Sequence, residues 1–227
     1  MAKLPALVTA LTEVDGRDRP TIDHYARTIR EAGFIPTGKR GVGAAEMDVR
    51  AAANLLIALN CGSDAKQAAE RVAFFRAFIL NDASDPQGFR TFQAINSAQN
   101  FGEALELLIG GVPEIILRGV RYIDEKWPEK SDEFRQIAKS RMLASGDVVN
   151  CVVKLSLSGV EIKYRAWDDI EWSAEFSIPV SLIETALIME RLKTDRRVTC
   201  SFGLPTLIAA FKALLVDDHE NVISAVT

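Results

Sequence analysis

The chain has 227 residues, of which 48% are hydrophobic and 26% charged, a balance typical of a folded globular protein and not of a disordered one. Its formal net charge of -4 at pH 7 excludes a protein that is basic throughout and coats nucleic acid by charge alone. The N-terminal stretch is too weakly apolar for a signal peptide, and the sequence has no run of about 18 apolar residues, so we expect a cytoplasmic protein with no membrane role.

Basic charge is concentrated near the N-terminus. Residues 17–40 contain six basic and three acidic side chains, a net charge of +3, which leaves -7 for the rest of the chain. This segment is therefore the part of the chain that we expect to approach a polyanion.

Two helices are predicted before residue 33. Apolar residues recur at helical spacing from Leu4 to Val14, and a second helix is expected from Thr21, acting as its N-cap, to about Ala32. Its inward stripe is predicted to consist of Ile22, Tyr25, Ala26, Ile29 and Ala32 or Gly33. The polar residues of this helix are expected on its opposite face.

A glycine-rich basic loop follows the second helix. Gly33 and Pro36 end that helix, and the basic loop, Thr37 to Gly43, leads to a third helix that Asp48 is expected to cap. A helix that presents arginines, a flexible basic loop and a return helix form the layout of a winged helix-turn-helix, which reaches a groove and its flanking phosphates. The predicted DNA-binding residues are Arg17, Arg19, Thr21, His24, Arg27, Arg30, Thr37, Lys39 and Arg40.

The middle of the chain is predicted to be mainly helical. Helices are expected over 46–60, 63–80 and 131–143, and two consecutive helices within 101–126, where Gly110-Gly111-Val112-Pro113 interrupts the pattern. A polar connection is expected before residue 101. Phe74, Phe75 and Phe78 are interpreted as core residues, because base-stacking platforms are usually interleaved with basic side chains.

The pattern changes to strict alternation after Val148. This alternation predicts a three-stranded antiparallel meander that extends to Ile178, with one apolar and one polar face. A capping box at Ser181 and Glu184 then opens a helix to about Lys193. A fourth strand over 197–202 and a final helix over 205–216, which would cover the sheet, complete the chain.

Together these patterns predict an α+β fold in three parts. Residues 1–82 would form a winged helix-turn-helix DNA-binding module, and 83–103 a linker or long loop. Residues 104–227 would form an α+β domain for oligomerisation or partner binding, with an antiparallel sheet covered by helices.

The sequence contains no motif for a catalytic, metal or nucleotide site. The basic loop does not follow a buried strand, which ranks a phosphate-binding loop below a DNA-binding wing. Cys61, Cys151 and Cys200 are far apart and are interpreted as reduced core thiols. We therefore expect no metal, no cofactor and no enzymatic activity.

Four successive segments resemble a known module. They are the helix from Ile22 to Gly33, the phrase Gly-Phe-Ile-Pro that begins at Gly33, the loop residues Lys39-Arg40-Gly41 and the helix that starts with Asp48. They are similar to the N-terminal winged helix of the mercury-resistance (MerR-type) regulators and the related phage excisionases. The resemblance covers roughly the first quarter of the chain and implies DNA binding by a dimer. The chain departs from the family in a longer polar connection over 15–20, and in lacking the long dimerisation helix that follows in such regulators. The same phrases also resemble uncharacterised phage and prophage proteins of alphaproteobacteria.

The sequence therefore predicts a sequence-specific DNA-binding protein of a phage or mobile element, foremost a transcriptional regulator. Its expected partners are double-stranded DNA, a second copy in a homodimer or higher homo-oligomer, and a protein bound by the C-terminal domain. Two alternatives stay open. One is a DNA-packaging subunit similar to a small terminase, and the other is an inhibitor of a host-defence nuclease whose acidic C-terminal part imitates nucleic acid.

Overall fold

The computed structural model describes residues 3–38, 45–62, 64–86, 88–166, 169–183 and 199–215. The helices in these ranges are α1 (Leu4–Asp15), α2 (Arg19–Glu31), α3 (Val49–Asn60), α4 (Ala68–Arg76), α5 (Arg90–Asn96), α6 (Phe101–Gly110), α7 (Val112–Lys126), α8 (Asp132–Ser145) and α9 (Leu204–Leu214). The strands are β1 (Ile79–Ala83), β2 (Val149–Ser156), β3 (Gly159–Ala166), β4 (Asp169–Ser177) and β5 (Cys200–Phe202). Short 3-10 turns span Ala65–Gln67 and Val180–Leu182. The predicted α+β class is confirmed.

Local sequence explains where the first two helices begin and end. α1 ends at Gly16, whose φ of 82° is the left-handed conformation that glycine adopts without strain. α2 begins after Asp18, whose carboxylate accepts the N–H of Thr21. The predicted N-cap at Thr21 is therefore wrong by three residues. Pro20 explains the shift, because proline is favoured in the first turn, where its missing N–H costs no hydrogen bond.

α3 is the central helix of the molecule. Asp48 caps it as predicted, since its Oδ1 accepts the N–H of Ala51 at 2.7 Å. Every residue from Ala51 to Asn60 is buried, because α2, α4 and α6 pack around this helix. α3 is therefore buried on all sides and not along one stripe.

The five-stranded sheet has the order β1-β4-β3-β2-β5 and is antiparallel throughout. The meander β2-β3-β4 is confirmed. Its inward face buries Tyr164 and Trp172, which lie opposite each other in the β3–β4 register. β5 adds to the β2 edge of the meander, where Leu155 pairs with Cys200, and β1 adds to the β4 edge.

The region before α6 differs most from the sequence-based expectation. The helix predicted through residue 80 ends at Arg76, and β1 follows, with Ile79 paired to Ser177. The segment 83–103, predicted as a linker or long loop, contains α5, so that local prediction is wrong. Both elements depend on partners far along the chain, namely β4 for the strand and α7 for the helix.

One hydrophobic core extends from Leu7 in α1 to Ala210 in α9, and α9 packs against both α1 and α6. The predicted separation of 1–82 from 104–227 does not coincide with a break in this core. The core includes Phe74, Phe75 and Phe78, whose rings contact one another edge-on or tilted, so their prediction as core residues is confirmed.

Some predictions fall outside the described residues. The helix expected from Ser181 leaves the described ranges after residue 183, and Lys39 and Arg40 also lie outside them. Within the described ranges, no helix has both the length and the apolar character needed to cross a membrane.

Candidate nucleic-acid interface

The outward face of α2 carries the centre of the predicted recognition surface. His24 and Arg27 are exposed and three positions apart, so they lie on one side of the helix. The opposite side is buried through Ile22, Ala26 and Ile29. The row formed by His24 and Arg27 is therefore the part of α2 that can approach a groove.

Arg27 is held by a weak ion pair. Its Nε lies 3.5 Å from Oε1 of Glu31, one helical turn later, and both side chains are 69% exposed. Exposed pairs of this kind contribute about 0.2–1 kcal/mol and are screened by salt. Arg27 can therefore exchange Glu31 for a stronger acceptor at small cost.

Two further arginines flank this row. Arg19 donates a 2.9 Å hydrogen bond to the hydroxyl of Thr9, and its Nε lies 3.7 Å from Asp23. Arg30, in the last turn of α2, is half-buried and has no ion-pair partner among the described residues. Arg19 is therefore already hydrogen-bonded within the protein, whereas the charge of Arg30 is not paired with an acidic side chain among the described residues.

Thr21 is engaged at the start of the helix. Hydrogen bonds from its hydroxyl and its backbone N–H hold the pKa of Asp18 below the ordinary value of an aspartate. The carboxylate of Asp18 therefore stays charged at neutral pH and occupies the positive end of α2, where a phosphate could otherwise bind. Thr21 and Asp18 together form a helix cap.

Arg17 faces the protein interior. Its Nε and Nη2 lie 2.5 and 3.0 Å from the two carboxylate oxygens of Asp15, and its Nη1 donates to the carbonyl of Leu59 at 2.5 Å. The guanidinium also lies 5.9 Å from the centre of the Tyr25 ring. Arg17 thereby joins the turn between α1 and α2 to the C-terminus of α3.

The basic loop is fixed at both ends. Ile35 before it and Met47 after it are buried, at 1% and 6% exposure. An isolated antiparallel bridge pairs Lys3, just before α1, with Glu46. Thr37, at the start of the loop, is exposed, so the loop leaves the core directly after Ile35. Ile35 and Met47 therefore belong to the same core as the buried side of α2.

A chain of hydrogen bonds supports the start of the loop. The side-chain amide of Asn54 donates to the carbonyl of Phe34 at 2.7 Å, and its oxygen accepts from Arg76 Nη1 at 2.8 Å. Arg76 Nη2 in turn donates to Glu106 at 2.5 Å. Arg76 and Glu106 line a polar cleft of about 530 Å³ that Phe34 also lines. The pairing of Arg76 with Glu106 therefore supports Asn54, which in turn holds the carbonyl of Phe34.

Sequence reasoning missed Asn54. Its side chain is 1% exposed and lies within the otherwise apolar stretch Ala51–Leu59. A single amide in such a helix needs hydrogen-bond partners when it is buried, and that requirement is the signal that could have identified it.

The structure places the predicted DNA-binding residues that it describes in three groups. His24, Arg27, Arg30 and Arg19 share α2, Thr37 begins the basic loop, and Arg17 and Thr21 contact the protein itself.

The cysteines do not form a site. None of the three forms a disulfide, and Cys61 and Cys151 are buried. Burial raises the pKa of Cys151 to about 12, which keeps its thiol protonated and unreactive. Cys200, on the edge strand β5, is partly exposed. Among the described residues, no group of three or more histidine, cysteine, aspartate or glutamate side chains could hold a metal ion.

Comparison of the chain with protein-family models, with curated proteins and with solved structures found no match.

Proposed function

We propose that the protein binds double-stranded DNA through the outward face of α2 and the adjacent basic loop. One observation carries the proposal. His24 and Arg27 form an exposed row on α2, and the two basic residues Lys39 and Arg40 follow in the sequence between Ile35 and Met47, which are both buried in the core. An α-helix fits the major groove, and a basic loop next to it can bind the flanking phosphates.

Arg27 can exchange its contact with Glu31 for a contact with DNA. Breaking its exposed pair with Glu31 costs about 0.2–1 kcal/mol, whereas a bidentate contact with a guanine edge provides about 1–3 kcal/mol of discrimination. Arg30 follows three positions later and brings a second, locally unbalanced charge to the same end of the helix. Glu31 would have to turn away from the DNA as Arg27 binds it.

In this proposal the protein acts by binding and not by catalysis, as a regulator of a phage or mobile element in the cytoplasm. Three cysteines that form no disulfide fit a reducing compartment. The net charge of -7 outside residues 17–40 confines DNA to the basic segment, because the remaining surface repels phosphates.

The test is a mobility-shift titration on the DNA upstream of the protein's own gene, with a scrambled fragment of equal length as competitor. We expect the upstream fragment to bind more tightly, and Arg27→Ala to reduce both affinity and the preference for that fragment. Arg165→Ala removes an exposed arginine from β3 and serves as the control of equal charge. Binding that is equally affected by both variants, or no binding to either fragment, would contradict the proposal.

A further inference from the structure

α8 presents large apolar side chains to solvent. Phe134 is 41% exposed and Ile137 is 56% exposed, whereas Met142, on the other side of the helix, is fully buried. Among the described residues, these two belong to a small set of large apolar side chains that the core does not cover. A helix face of this kind is typical of an interaction surface.

Two opposite charges flank Ile137 at equal distances. Glu133 precedes it by four residues and Arg141 follows it by four, so the three side chains form one row along the helix. Glu133 is exposed and has no ion-pair partner among the described residues. Arg141 is 67% exposed and bonds to Asp147 through Nε and Nη2, which leaves the Nη1 edge for another acceptor.

The helix that carries this row is firmly positioned. Arg135 and Lys139 both pair with Asp124 of α7, at 3.6 and 2.9 Å. Gly119 of α7 lies so close that a Cβ there would be 2.4 Å from the sulfur of Met142. The exposed row is therefore held in place before any partner arrives, which reduces the entropy lost on association.

We propose that α8 packs against α8 of a second copy about a two-fold axis that passes between the two Ile137 side chains. When this axis is perpendicular to the row, the rows of the two copies face each other and run in opposite directions. Antiparallel alignment then places Glu133 of each copy beside Arg141 of the other, about 6 Å along the helix from the axis. Both ion pairs form at once, because a two-fold interface repeats every contact.

The arrangement of charges around Ile137 favours a second copy of this chain as the binding partner over an unrelated protein. A row with an apolar centre, one negative end and one positive end at equal offsets is complementary to itself in antiparallel orientation. A single helix pair lies at or below about 1,200 Å² of buried surface, so we expect a weak dimer. The surface is separate from the proposed DNA-binding face of α2, and either proposal can fail without the other.

The experiment is charge reversal followed by sedimentation analysis without DNA. We expect the wild type to dimerise reversibly, and Glu133→Arg and Arg141→Glu each to weaken self-association by about tenfold or more, since each puts like charges together at both ends. Mixing these two variants should restore association as a heterodimer, because all four flanking charges are then opposite. Glu13→Arg reverses an exposed charge on α1 and should leave the wild-type dimer unchanged.

Mixing the two charge-reversal variants distinguishes a lost interface from a misfolded protein. A variant that lost association by misfolding would not recover it on mixing, and circular dichroism checks the fold of each variant. A wild type that remains monomeric up to several hundred micromolar would overturn the proposal. A dimer that is indifferent to both reversals, or single variants that do not recover on mixing, would also overturn it.

Discussion

Glu114 of α7 accepts two hydrogen bonds from Thr91 on a single carboxylate oxygen, one from the backbone N–H at 2.8 Å and one from the hydroxyl at 2.6 Å. Its other oxygen accepts the N–H of Arg90 at 3.0 Å. A residue from a different helix therefore satisfies the first N–H groups of α5. This contact holds α5, with Phe89 and Phe92, against Tyr164 of the sheet.

Glu114 should make stability depend on pH in the acid range. Burial alone would raise the pKa of Glu114, but the hydrogen bonds from Thr91 and Arg90 outweigh it and lower the pKa below the ordinary value of 4.5. A carboxylate whose pKa is lowered by folding stabilises the protein above its ordinary pKa, and this stability is lost as pH falls through the folded-state value.

The measurement is the free energy of unfolding of the wild type and of Glu114→Gln at pH 6 and pH 3. We expect the variant to be less stable at pH 6 by about 1 kcal/mol, the difference between a charged and a neutral acceptor, and this difference to be smaller at pH 3. Glu125→Gln, an exposed change on the same helix, should produce no such pattern. A gap of equal size at both pH values would disprove the assignment.

Gly110, the last residue of α6, and Gly111, which links α6 to α7, should respond differently to alanine. A Cβ on Gly111 would lie 2.3 Å from the hydroxyl oxygen and the methyl carbon of Thr91, whereas a Cβ on Gly110 would meet no atom within 4 Å. Gly111→Ala should cost about 1–3 kcal/mol of stability, as overpacking does. Gly110→Ala should be neutral or stabilise by up to about 1 kcal/mol through helix propensity. Urea titration compares the two, and equal effects would be inconsistent with this close contact.

Replacing Arg17 should lower the stability of the fold, whereas replacing Arg27 should weaken DNA binding. Arg17→Ala removes the contacts with Asp15 and with the carbonyl of Leu59, so we expect a loss of about 1.5–3 kcal/mol in the free energy of unfolding. Arg27→Ala should change stability by less than about 0.5 kcal/mol, since its pair with Glu31 is exposed. Thermal unfolding of both variants provides the comparison. A stable Arg17→Ala protein with impaired DNA binding would instead place Arg17 in the interface.

The parts of the fold that follow from local periodicity could be predicted from the sequence. The pair α6 and α7, the helix α8 with its cap at Ser131, and the meander β2-β3-β4 all repeat their apolar residues at the period of the element. Turn glycines and capping side chains fix the ends of these elements within a few residues.

The elements that were missed depend on contacts between distant residues. β1 has five residues and pairs with β4, and Phe78 just before it continues the helical spacing of Phe74 and Phe75. α5 has seven residues and is capped by Glu114, 23 positions after Thr91. Neither local pattern contains the information that forms the element.

The candidate interface was only partly predictable for the same reason. Helical spacing correctly puts His24 and Arg27 on the exposed side of α2. Spacing cannot reveal that Arg17 contacts Leu59, 42 residues later, or that Asn54 holds the carbonyl of Phe34. By charge alone, every arginine is a candidate DNA contact. The hydrogen-bond acceptors that an arginine already contacts within the protein distinguish a structural arginine from one that is available to DNA.

The most direct test of DNA binding by α2 and the basic loop is the salt dependence of affinity on the upstream fragment. The observed constant should be measured from about 50 to 200 mM salt for the wild type, for Lys39→Ala/Arg40→Ala and for Arg165→Ala. We predict that the loop variant flattens the slope of log K against log salt by roughly 0.9 for each lost phosphate contact, while Arg165→Ala leaves the slope unchanged. A wild-type affinity that does not depend on salt, or a loop variant with the wild-type slope, would contradict the proposed interface.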